Sequence, residues 1–300
     1  MYIKENQSNN VVVDPILKWA GGKRSLVPHI LSLFPVDYKT RVYHEPFIGG
    51  GAVFFKIRPR AGSINDINSH LVNFYWVVRD KPEELISQGR LYTYDEESYY
   101  LLRDRFNQQG LSDVEYAALL LYLNKTAFNG LYRVNSKGEF NVPFGRYKNP
   151  TIVPERRIRA ASRILQKVEI FNKDFSYVLD YAKEGDLCYL DPPYQPVSET
   201  ASFTSYSSEG FDLNEQRRLR DLCIELDERG ILFVLSNSYT EPILDLYKET
   251  KFQIKVTQAK RAISSKPSTR GPINEVLVTN ISKKNFRDQS SLHRFSNTRK

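Results

Sequence analysis

The sequence is poor in cysteine, in histidine and in long apolar runs. Its 300 residues include only two cysteines, Cys188 and Cys223, which make neither a disulfide framework nor a metal-ligand cluster, and four histidines without metal-ligand spacing. The polar start of the chain lacks the apolar stretch of a signal peptide, and no run approaches the roughly 18 apolar residues of a membrane span. These absences predict a soluble protein of a reducing cytosol that holds no metal.

What the chain does have is a core-forming composition and an excess of positive charge. Hydrophobic residues make up 41% and charged residues 26%, enough for one large domain or one domain with a sizeable insertion. The net charge of +8 indicates a polyanionic partner. Residues 283–300 supply +5 of it, as six basic residues less Asp288, and this stretch is predicted to be a disordered basic tail.

A second basic segment lies inside the chain and is interleaved with aromatic residues. Between positions 125 and 148 the only acidic residue is Glu139, and the basic and aromatic residues are Lys125, Phe128, Tyr132, Arg133, Lys137, Phe140, Phe144, Arg146, Tyr147 and Lys148. Basic residues contact phosphates, and aromatic or amide side chains can reach bases. The segment is a candidate nucleic-acid surface, although charged loops near aromatics also occur on ordinary surfaces.

Apolar, β-branched segments bounded by turn residues predict seven strands. They lie near Val42–Glu45, Ser63–Asn65, Val168–Phe171, Leu187–Leu190, Ile231–Ser236, Phe252–Val256 and Val276–Ile281. Helical patterns separate several of them, among them Asn214–Glu228, which opens on an asparagine and ends before Gly230. The fold class is therefore α/β.

The strand spacing predicts an inserted domain, because about a hundred residues separate the second and third strands, far more than a normal crossover needs. This stretch contains two helical segments, Tyr99–Phe106 and Val114–Asn124, and a hairpin-like piece that turns at Asn135–Gly138. We expect residues 1–80 and 165–282 to form one domain, residues 81–164 the inserted domain, and residues 283–300 the tail.

The run Asp191-Pro192-Pro193-Tyr194 is the most informative motif. It follows the fourth predicted strand, and ligands bind at that edge of an open α/β sheet. The prolines fix the backbone and lack N–H donors, so the motif offers a carboxylate, bare carbonyls and a flat ring. Asp191 and the Pro192 carbonyl could accept the two hydrogens of an exocyclic amine while Tyr194 stacks on its ring. The alternative is a strand that simply ends in a proline turn.

Two further motifs point to a nucleotide-like cofactor. The first strand runs into Glu45–Gly51, whose three glycines let the backbone approach a ligand closely, or else form only a tight corner. Asp66 ends the second strand 17 residues after Gly49, which suits a ribose ligand, although it could instead be the N-cap of the next helix. Near the amino end, Lys18–Lys23 precedes a helical pattern and could form an anion site or a helix cap.

Taken together, these motifs give the chain a specific resemblance. From about Ile16 to Ile281 it resembles the Dam-type family of S-adenosylmethionine-dependent DNA adenine-N6 methyltransferases, with the motifs in the family's order. The resemblance rests on Lys18–Lys23, Glu45–Gly51, Asp66-Ile67-Asn68, Asn129–Arg133, Phe140–Tyr147, Asp191–Tyr194 and Leu235-Ser236-Asn237. It implies a Rossmann-like class I methyltransferase with a seven-stranded mixed sheet and an inserted, mostly helical target-recognition domain with a β-hairpin.

The resemblance also implies roles for individual residues. Asp191, Pro192 and Tyr194 are expected to be catalytic. The residues expected to contact S-adenosylmethionine are Trp19, Ala20, Gly21, Lys23, Glu45, Phe47, Gly49, Gly51, Asp66, Ile67, Asp174 and Asp191. The residues expected to contact double-stranded DNA at GATC sites are Lys18, Phe128, Asn129, Leu131, Arg133, Asn141, Pro143, Arg146 and Tyr147. Of these, Arg133, Leu131 and Lys18 would read bases, and Arg146 and Tyr147 would hold the backbone. A restriction endonuclease acting on the same site is a further partner that the resemblance allows.

Adenine-N6 chemistry requires groups of this kind. The N6 lone pair is delocalised into the ring, and two acceptors on its protons favour the pyramidal nitrogen that attacks the methyl group. The base must leave the duplex to be reached, and residues 195–210 could form a mobile flap over it or a plain surface loop. Two other hypotheses remain: methylation of cytosine N4 or a protein glutamine, and a catalytically silent DNA-binding module.

Overall fold

The structure, a computed structural model, describes residues 13–19, 21–194, 211–260 and 272–282. Three features predicted from the sequence lie outside these ranges: Ala20 as a cofactor contact, residues 195–210 as a flap, and residues 283–300 as a tail. No helix among the described residues is long and apolar enough to cross a membrane.

The described residues contain one seven-stranded mixed sheet, which confirms the predicted fold class. The strands are β1 (Tyr43–Glu45), β2 (Gly62–Asn65), β3 (Glu169–Phe171), β4 (Leu187–Leu190), β5 (Leu232–Ser238), β6 (Gln253–Lys260) and β7 (Pro272–Thr279). Their order is β3-β2-β1-β4-β5-β7-β6. β1, β2, β4 and β5 pair in parallel, whereas β7 runs antiparallel to both β5 and β6. The strand order reverses between β1 and β4, which is the position where open α/β sheets bind ligands.

Ten α-helices lie in the described part of the chain. They are α1 (Val27–Leu33), α2 (Ala52–Ile57), α3 (Ser69–Asp80), α4 (Pro82–Gly89), α5 (Glu96–Phe106), α6 (Asp113–Thr126), α7 (Glu155–Leu165), α8 (Val178–Tyr181), α9 (Leu213–Glu228) and α10 (Glu241–Tyr247). The predicted start of α9 is wrong: its cap is Asp212, whose carboxylate accepts the amide N–H groups of Asn214 and Glu215 at 2.8 and 2.9 Å. The predicted end is right, since Gly230 follows with φ of 70°.

The described residues divide into two compact units. The first takes those within Met1–Gly22, Gly49–Arg58 and Asn68–Ile170. Its centre is α6, which is buried on all sides from Ala117 to Asn124 and packs against α3, α4 and α5. The hairpin predicted at Asn135–Gly138 is present: Val134 and Phe140 form an antiparallel bridge around it. That residues 81–164 form a separate recognition domain remains a prediction.

The second unit takes the described residues within Lys23–Ile48, Pro59–Ile67 and Phe171–Lys300. Its central strand β4 is buried at every position, as its unbroken apolar run predicts. Leu190 and Leu235 from adjacent strands share a core cluster with Leu219 and Leu226 of α9. Burial of β4 on both faces fixes the position at which the chain emerges as Asp191.

The sheet also buries a polar cluster that was not predicted. On β1, His44 Nδ1 lies 2.7 Å from Ser63 Oγ and Nε2 lies 3.2 Å from Asp186 Oδ2, and Ser63 also bonds Tyr177 at 2.9 Å. The three residue types match a hydrolase triad, but His44 and Ser63 are each only 2% exposed. No substrate reaches a serine in that position, so the cluster satisfies polar groups inside the core.

We expect this cluster to make stability depend on pH. Burial lowers the pKa of His44, against the opposing effect of Asp186, so the unfolded chain takes up the proton first as pH falls. The free energy of unfolding should therefore decrease as pH drops from about 7 to 5.5, because the unfolded state binds more protons there. Urea unfolding of the parent and of His44→Gln across this range checks the prediction, which requires a shallower pH slope in the variant. Equal slopes would contradict it.

Candidate functional site

Asp191 emerges from the carboxyl end of β4 into a pair of polar contacts. Its Oδ1 lies 3.0 Å from Lys23 Nζ and accepts a hydrogen bond of 2.9 Å from the Ser236 hydroxyl. Lys23 is 5% exposed and Asp191 19% exposed, so the ion pair is largely removed from water. Lys23 precedes α1, which has no side-chain cap. No side chain of the Lys18–Lys23 motif caps α1, although the Lys23 carbonyl accepts the amide N–H groups of Leu26 and Val27 at 2.8 and 2.9 Å, and the Lys23 ammonium pairs with Asp191.

The surroundings of Asp191 control its charge. Burial raises the pKa of its carboxyl group, and Lys23 and the Ser236 hydroxyl act in the opposite direction. Because these partners stabilise only the ionised form, the carboxylate depends on them at neutral pH. The site thus holds an acceptor that can bind a donor group of a ligand.

The rest of the motif is held in place by residues that the sequence interpretation missed. The Tyr194 hydroxyl donates to Glu275 Oε2 at 2.6 Å, and the Tyr194 ring centroid lies 4.2 Å from Lys23 Nζ. Gln216 Nε2 donates to the Pro193 carbonyl at 3.3 Å. The Asn237 amide in turn donates to Gln216 Oε1 at 2.9 Å. The Leu235-Ser236-Asn237 motif therefore supports Asp191–Tyr194 both directly and through Gln216.

Two predicted cofactor residues lie at the end of β1 and just after it, in the second unit. Glu45 is 2% exposed and accepts a hydrogen bond of 2.6 Å from Tyr43. Phe47 stacks on Phe175, with ring centroids 5.3 Å apart, and meets Phe211 edge-on at 5.8 Å. These three rings offer an aromatic surface against which a planar ligand could pack.

The structure tests one of the two hypotheses for Asp66. The cap of α3 is Asn68, whose side chain accepts the Leu71 amide N–H at 3.0 Å, so the N-cap hypothesis for Asp66 is wrong. Asn172 donates to the carbonyls of Asp66 and Ile67 at 2.8 and 3.1 Å and fixes this loop. Asp66 is half-buried and Ile67 is 66% exposed. This geometry leaves the ribose-ligand prediction for Asp66 standing.

Asp174 has a structural role of its own. It caps a 3₁₀ turn at Phe175–Tyr177, and its Oδ1 accepts from the Ser176 amide and hydroxyl at 3.0 and 2.6 Å and from Arg218 at 3.0 Å. Burial alone would raise the pKa of Asp174, but these Ser176 and Arg218 contacts hold it below the usual value. The carboxylate is therefore ionised and fixed in direction, as a ligand acceptor would need to be.

Within the first unit, the glycine turn lies against Trp19. Gly49 and Gly51 have φ angles of 46° and 71°, which residues with a side chain rarely adopt. A Cβ on Gly49 would lie 3.1 Å from Trp19 Cδ1. The Tyr75 hydroxyl donates to the Gly49 carbonyl at 2.7 Å. The structure thus places Trp19 beside the glycine turn. Gly21, another predicted cofactor contact, also has a positive φ.

The first unit also fixes Lys18, which was predicted to read a base. The buried Asn124 side chain accepts from the Lys18 amide N–H at 2.8 Å and donates to the Lys18 carbonyl at 2.7 Å. Gly130 leaves room for the Lys18 side chain, because a Cβ there would lie 2.5 Å from Lys18 Cδ. The Lys18 ammonium lies 5.2 Å from the centre of the Tyr147 ring. Two predicted DNA contacts are therefore neighbours.

Arg133, a predicted DNA-binding residue, is oriented by two hydrogen bonds to Asn141. Its Nε donates to Asn141 Oδ1 at 2.7 Å and its Nη2 to the Asn141 carbonyl at 3.2 Å. The guanidinium of an otherwise exposed side chain is thereby held in one plane, with further N–H groups available to a ligand. Asn141, predicted as a DNA contact, acts on Arg133 in this structure.

Four of the predicted DNA-binding residues, Phe128, Asn129, Arg146 and Tyr147, line an open groove in the same unit. It is lined by Phe128, Asn129, Phe144, Gly145, Arg146 and Tyr147. The Phe128 amide N–H donates to the Pro143 carbonyl at 2.9 Å, and Leu131 follows the same turn half-buried. Phe128 is 49% exposed, and Arg146 makes a solvent-exposed ion pair with Glu96 at 3.3 Å. Exposed pairs are weak, so Arg146 can exchange its partner for a phosphate.

The predicted DNA contacts thus lie in the first unit. The second unit contains the Asp191 cluster, which consists of Asp191, Lys23, Ser236, Tyr194, Gln216 and Glu275. No group of three or more metal-ligating side chains occurs among the residues that the structure describes. The residues that sequence analysis missed are Ser236 as a partner of Asp191, and Gln216 and Glu275. Ser236 lies in a motif already noticed, whereas Gln216 and Glu275 carry no local signal.

Comparison with known proteins gives consistent matches along most of the chain. A model of the D12 class N6 adenine-specific DNA methyltransferases matches residues 19–263. The type II methyltransferase M1.LlaDCHI of Lactococcus lactis subsp. cremoris is 45% identical, over 91% of this chain and 98% of that protein. M.MjaIII of Methanocaldococcus jannaschii is 41% identical, over 89% and 99% of the two chains. The DNA adenine methylase of Vibrio cholerae serotype O1 is 37% identical, over 87% and 94%.

Proposed function

Because this chain belongs to the D12 class of N6 adenine-specific DNA methyltransferases, we propose that it methylates adenine N6 at GATC sites in duplex DNA after flipping the target base. The observation that carries this proposal is the half-buried carboxylate of Asp191, held by Lys23 and Ser236 at the end of β4. Pro192 follows it directly and supplies a carbonyl without a competing N–H. A flipped adenine would find two adjacent acceptors for its amine there.

The catalytic contribution of these residues is electrostatic. N6 becomes more positive as it attacks the methyl carbon, so acceptors on its two protons bind the transition state more tightly than the free base. Asp191 is already oriented by two partners and pays little reorganisation when the base arrives. Tyr194 would stack on the base and fix its plane. After transfer, the proton released from N6 can pass to the Asp191 carboxylate or to water.

We propose that S-adenosylmethionine is the methyl donor and supplies the activated sulfonium methyl group when bound. The residues of the second unit fit this cofactor: Asp66 is suited to the ribose hydroxyls, Asp174 offers a fixed acceptor, and Phe47 lies in an aromatic cluster with Phe175 and Phe211. The other proposed contacts in this unit are Lys23, Glu45, Ile67 and Asp191. Trp19, Gly21, Gly49 and Gly51 of the first unit are proposed as contacts on the strength of their motifs.

The experiment that tests the proposed function is methyl transfer from labelled S-adenosylmethionine to duplexes that differ only in the presence of one GATC. We expect N6-methyladenine in the GATC duplex and about 10- to 100-fold less label in the other, since a mismatched base pair costs about 1–3 kcal/mol. Nucleoside analysis identifies the product. Label in N4-methylcytosine, or equal label in both duplexes, would overturn the substrate or the specificity respectively.

Arg133→Ala should relax specificity more than it weakens DNA binding. A bidentate arginine contact to guanine contributes about 1–3 kcal/mol of discrimination, so we expect selectivity at one base pair to fall about 10- to 100-fold. Methylation rates on GATC and on its single-base variants measure this. Arg146→Ala is the matched control, because loss of a phosphate contact should weaken all duplexes equally and reduce the salt dependence. A uniform loss in Arg133→Ala would contradict the base-reading role.

We also propose that the enzyme acts on DNA in the cytoplasm of a bacterium, or of a cell infected by a phage that encodes it. The relatives named type II methyltransferases support a restriction-modification role, in which a cognate endonuclease cleaves the same unmethylated site. To test whether this chain can protect DNA in that way, a plasmid methylated by it is treated with an endonuclease that cleaves unmethylated GATC. Resistance of the methylated plasmid to cleavage is the expected result.

A further inference from the structure

Glu275 lies beside the Asp191 cluster, although no motif of the chain includes it. It is on β7, paired with Ser238 of β5, and is half-buried. Its Oε2 accepts the Tyr194 hydroxyl proton at 2.6 Å. Burial raises the pKa of Glu275, and Lys23 and the Tyr194 hydrogen bond offset only part of that rise. The fold thus keeps the Glu275 carboxylate near that of Asp191, although its burial costs free energy. This cost requires a reason.

The geometry around Tyr194 provides one. The face of its ring lies against the Lys23 ammonium at 4.2 Å, and its hydroxyl is tied to Glu275. A hydrogen bond to a carboxylate is shorter and stronger than one between neutral groups. The preceding residue, Pro193, is held through its carbonyl by Gln216. Tyr194 is therefore restrained at its backbone, across its ring face and at its far end.

We propose that Glu275 is a positioning residue that fixes the plane of the Tyr194 ring for stacking on the flipped adenine. The inference rests on the proposed role of Tyr194 as the stacking partner of the base. A reacting nitrogen must be placed within a fraction of an ångström, and a ring that rotates about its side-chain bonds cannot do this. The Glu275 carboxylate supplies the restraint from a strand remote in sequence.

A purely structural role for Glu275 makes a different prediction. If Glu275 served only to stabilise the contact between β5 and β7, its removal would lower stability and act independently of the Tyr194 hydroxyl. If it acts through Tyr194, removing the hydroxyl or the carboxylate should have the same consequence, and removing both should add little. A double-mutant cycle therefore separates the two roles.

The experiment compares Glu275→Ala, Glu275→Gln, Tyr194→Phe and the double variant Tyr194→Phe/Glu275→Ala with the parent enzyme. We expect the turnover number for GATC duplex to fall about 10- to 100-fold in Glu275→Ala and in Tyr194→Phe, as for loss of a charge-assisted hydrogen bond. The double variant should match the single variants, and the KM for S-adenosylmethionine should change less than about threefold, because the restraint acts on the base. Glu275→Gln retains an acceptor oxygen and should recover part of the turnover. Glu249→Gln, which removes an exposed carboxylate of the same unit, is the matched control.

A duplex with 2-aminopurine at the target position reports on the base itself. Stacking on an aromatic ring quenches this probe, so Glu275→Ala and Tyr194→Phe should shift its fluorescence in the bound complex equally, whereas a loss of stability would not. Multiplying effects in the double variant, or parental turnover in folded Glu275→Ala, would overturn the inference. Failure of the proposed function looks different: the parent enzyme itself would then form no N6-methyladenine in GATC.

Discussion

Asp191→Ala is expected to lower turnover of methyl transfer by about 10²- to 10³-fold, the loss seen when one preorganised hydrogen-bonding group is removed from a transition state. Alanine removes the proposed acceptor for the adenine amine, together with the carboxylate that lies 3.0 Å from Lys23 Nζ. Since the acceptor acts mainly in the transition state, turnover should fall more than DNA affinity does. Single-turnover methylation with labelled cofactor, beside a DNA-binding titration, measures the two effects separately.

Two comparisons make this prediction specific. Asp191→Asn retains the shape and one acceptor oxygen but loses the charge, so its turnover should lie between those of the parent and the alanine variant. Asp245→Asn is the matched control, because Asp245 is also paired with a lysine, Lys248, but on the exposed side of α10. Turnover above one tenth of the parental rate in a folded Asp191→Ala protein would contradict the catalytic role.

The second large effect is expected from Lys23→Met. Methionine fills most of the lysine volume but leaves Asp191 as a buried carboxylate without its counter-ion. Breaking a buried pair costs about 3–5 kcal/mol, and the lower end applies here because Asp191 keeps some exposure. The equivalent change at the exposed pair, Lys248→Met, should destabilise the protein far less, because water screens an exposed ion pair. Urea unfolding at neutral pH compares the two variants directly.

The pH dependence of the Lys23→Met effect follows from the sign of the pKa shift. Burial raises the pKa of Asp191 above its unfolded value, so ionisation of Asp191 costs stability as pH rises through the two values. Without Lys23 this cost is unopposed, and the destabilisation should be largest at neutral pH and shrink toward pH 4. The acid limb of the activity profile should move to higher pH for the same reason. A destabilisation that does not change with pH would show that Lys23 acts through packing alone.

The strands of the sheet were accessible from sequence because each is a short apolar run with its own boundaries, whereas their order in the sheet was not predicted. The motif at Asp191 was accessible for a similar reason, since the prolines and tyrosine that define it are consecutive. Helix boundaries were less accessible. Asp212 rather than Asn214 caps α9, and Asn68 rather than Asp66 caps α3, because several nearby polar residues could each accept the first amide groups.

The residues that complete the candidate site were beyond sequence reasoning for a physical reason. Glu275 meets Tyr194 only because β7 folds back antiparallel to β5 in one register, which places the two residues together across 81 positions of chain. Gln216 reaches Pro193 only because of the rotation of α9 about its own axis. Neither the strand register nor the helix rotation can be predicted from a local sequence pattern, since both depend on packing between distant segments.

The two hydrogen bonds between Asn124 and Lys18 couple the packing of α6 to the position of Lys18. Without them, natural selection could adjust these two features independently. Asn124 belongs to the buried length of α6, so its position follows the packing of that helix, and Lys18 follows Asn124. A change in the volume of a neighbouring leucine would therefore be transmitted to a side chain that is proposed to read a base. Substitutions in the interior of this unit should therefore accompany changes in the preferred target sequence. A new specificity would arise together with repacking of α6 rather than from surface changes alone.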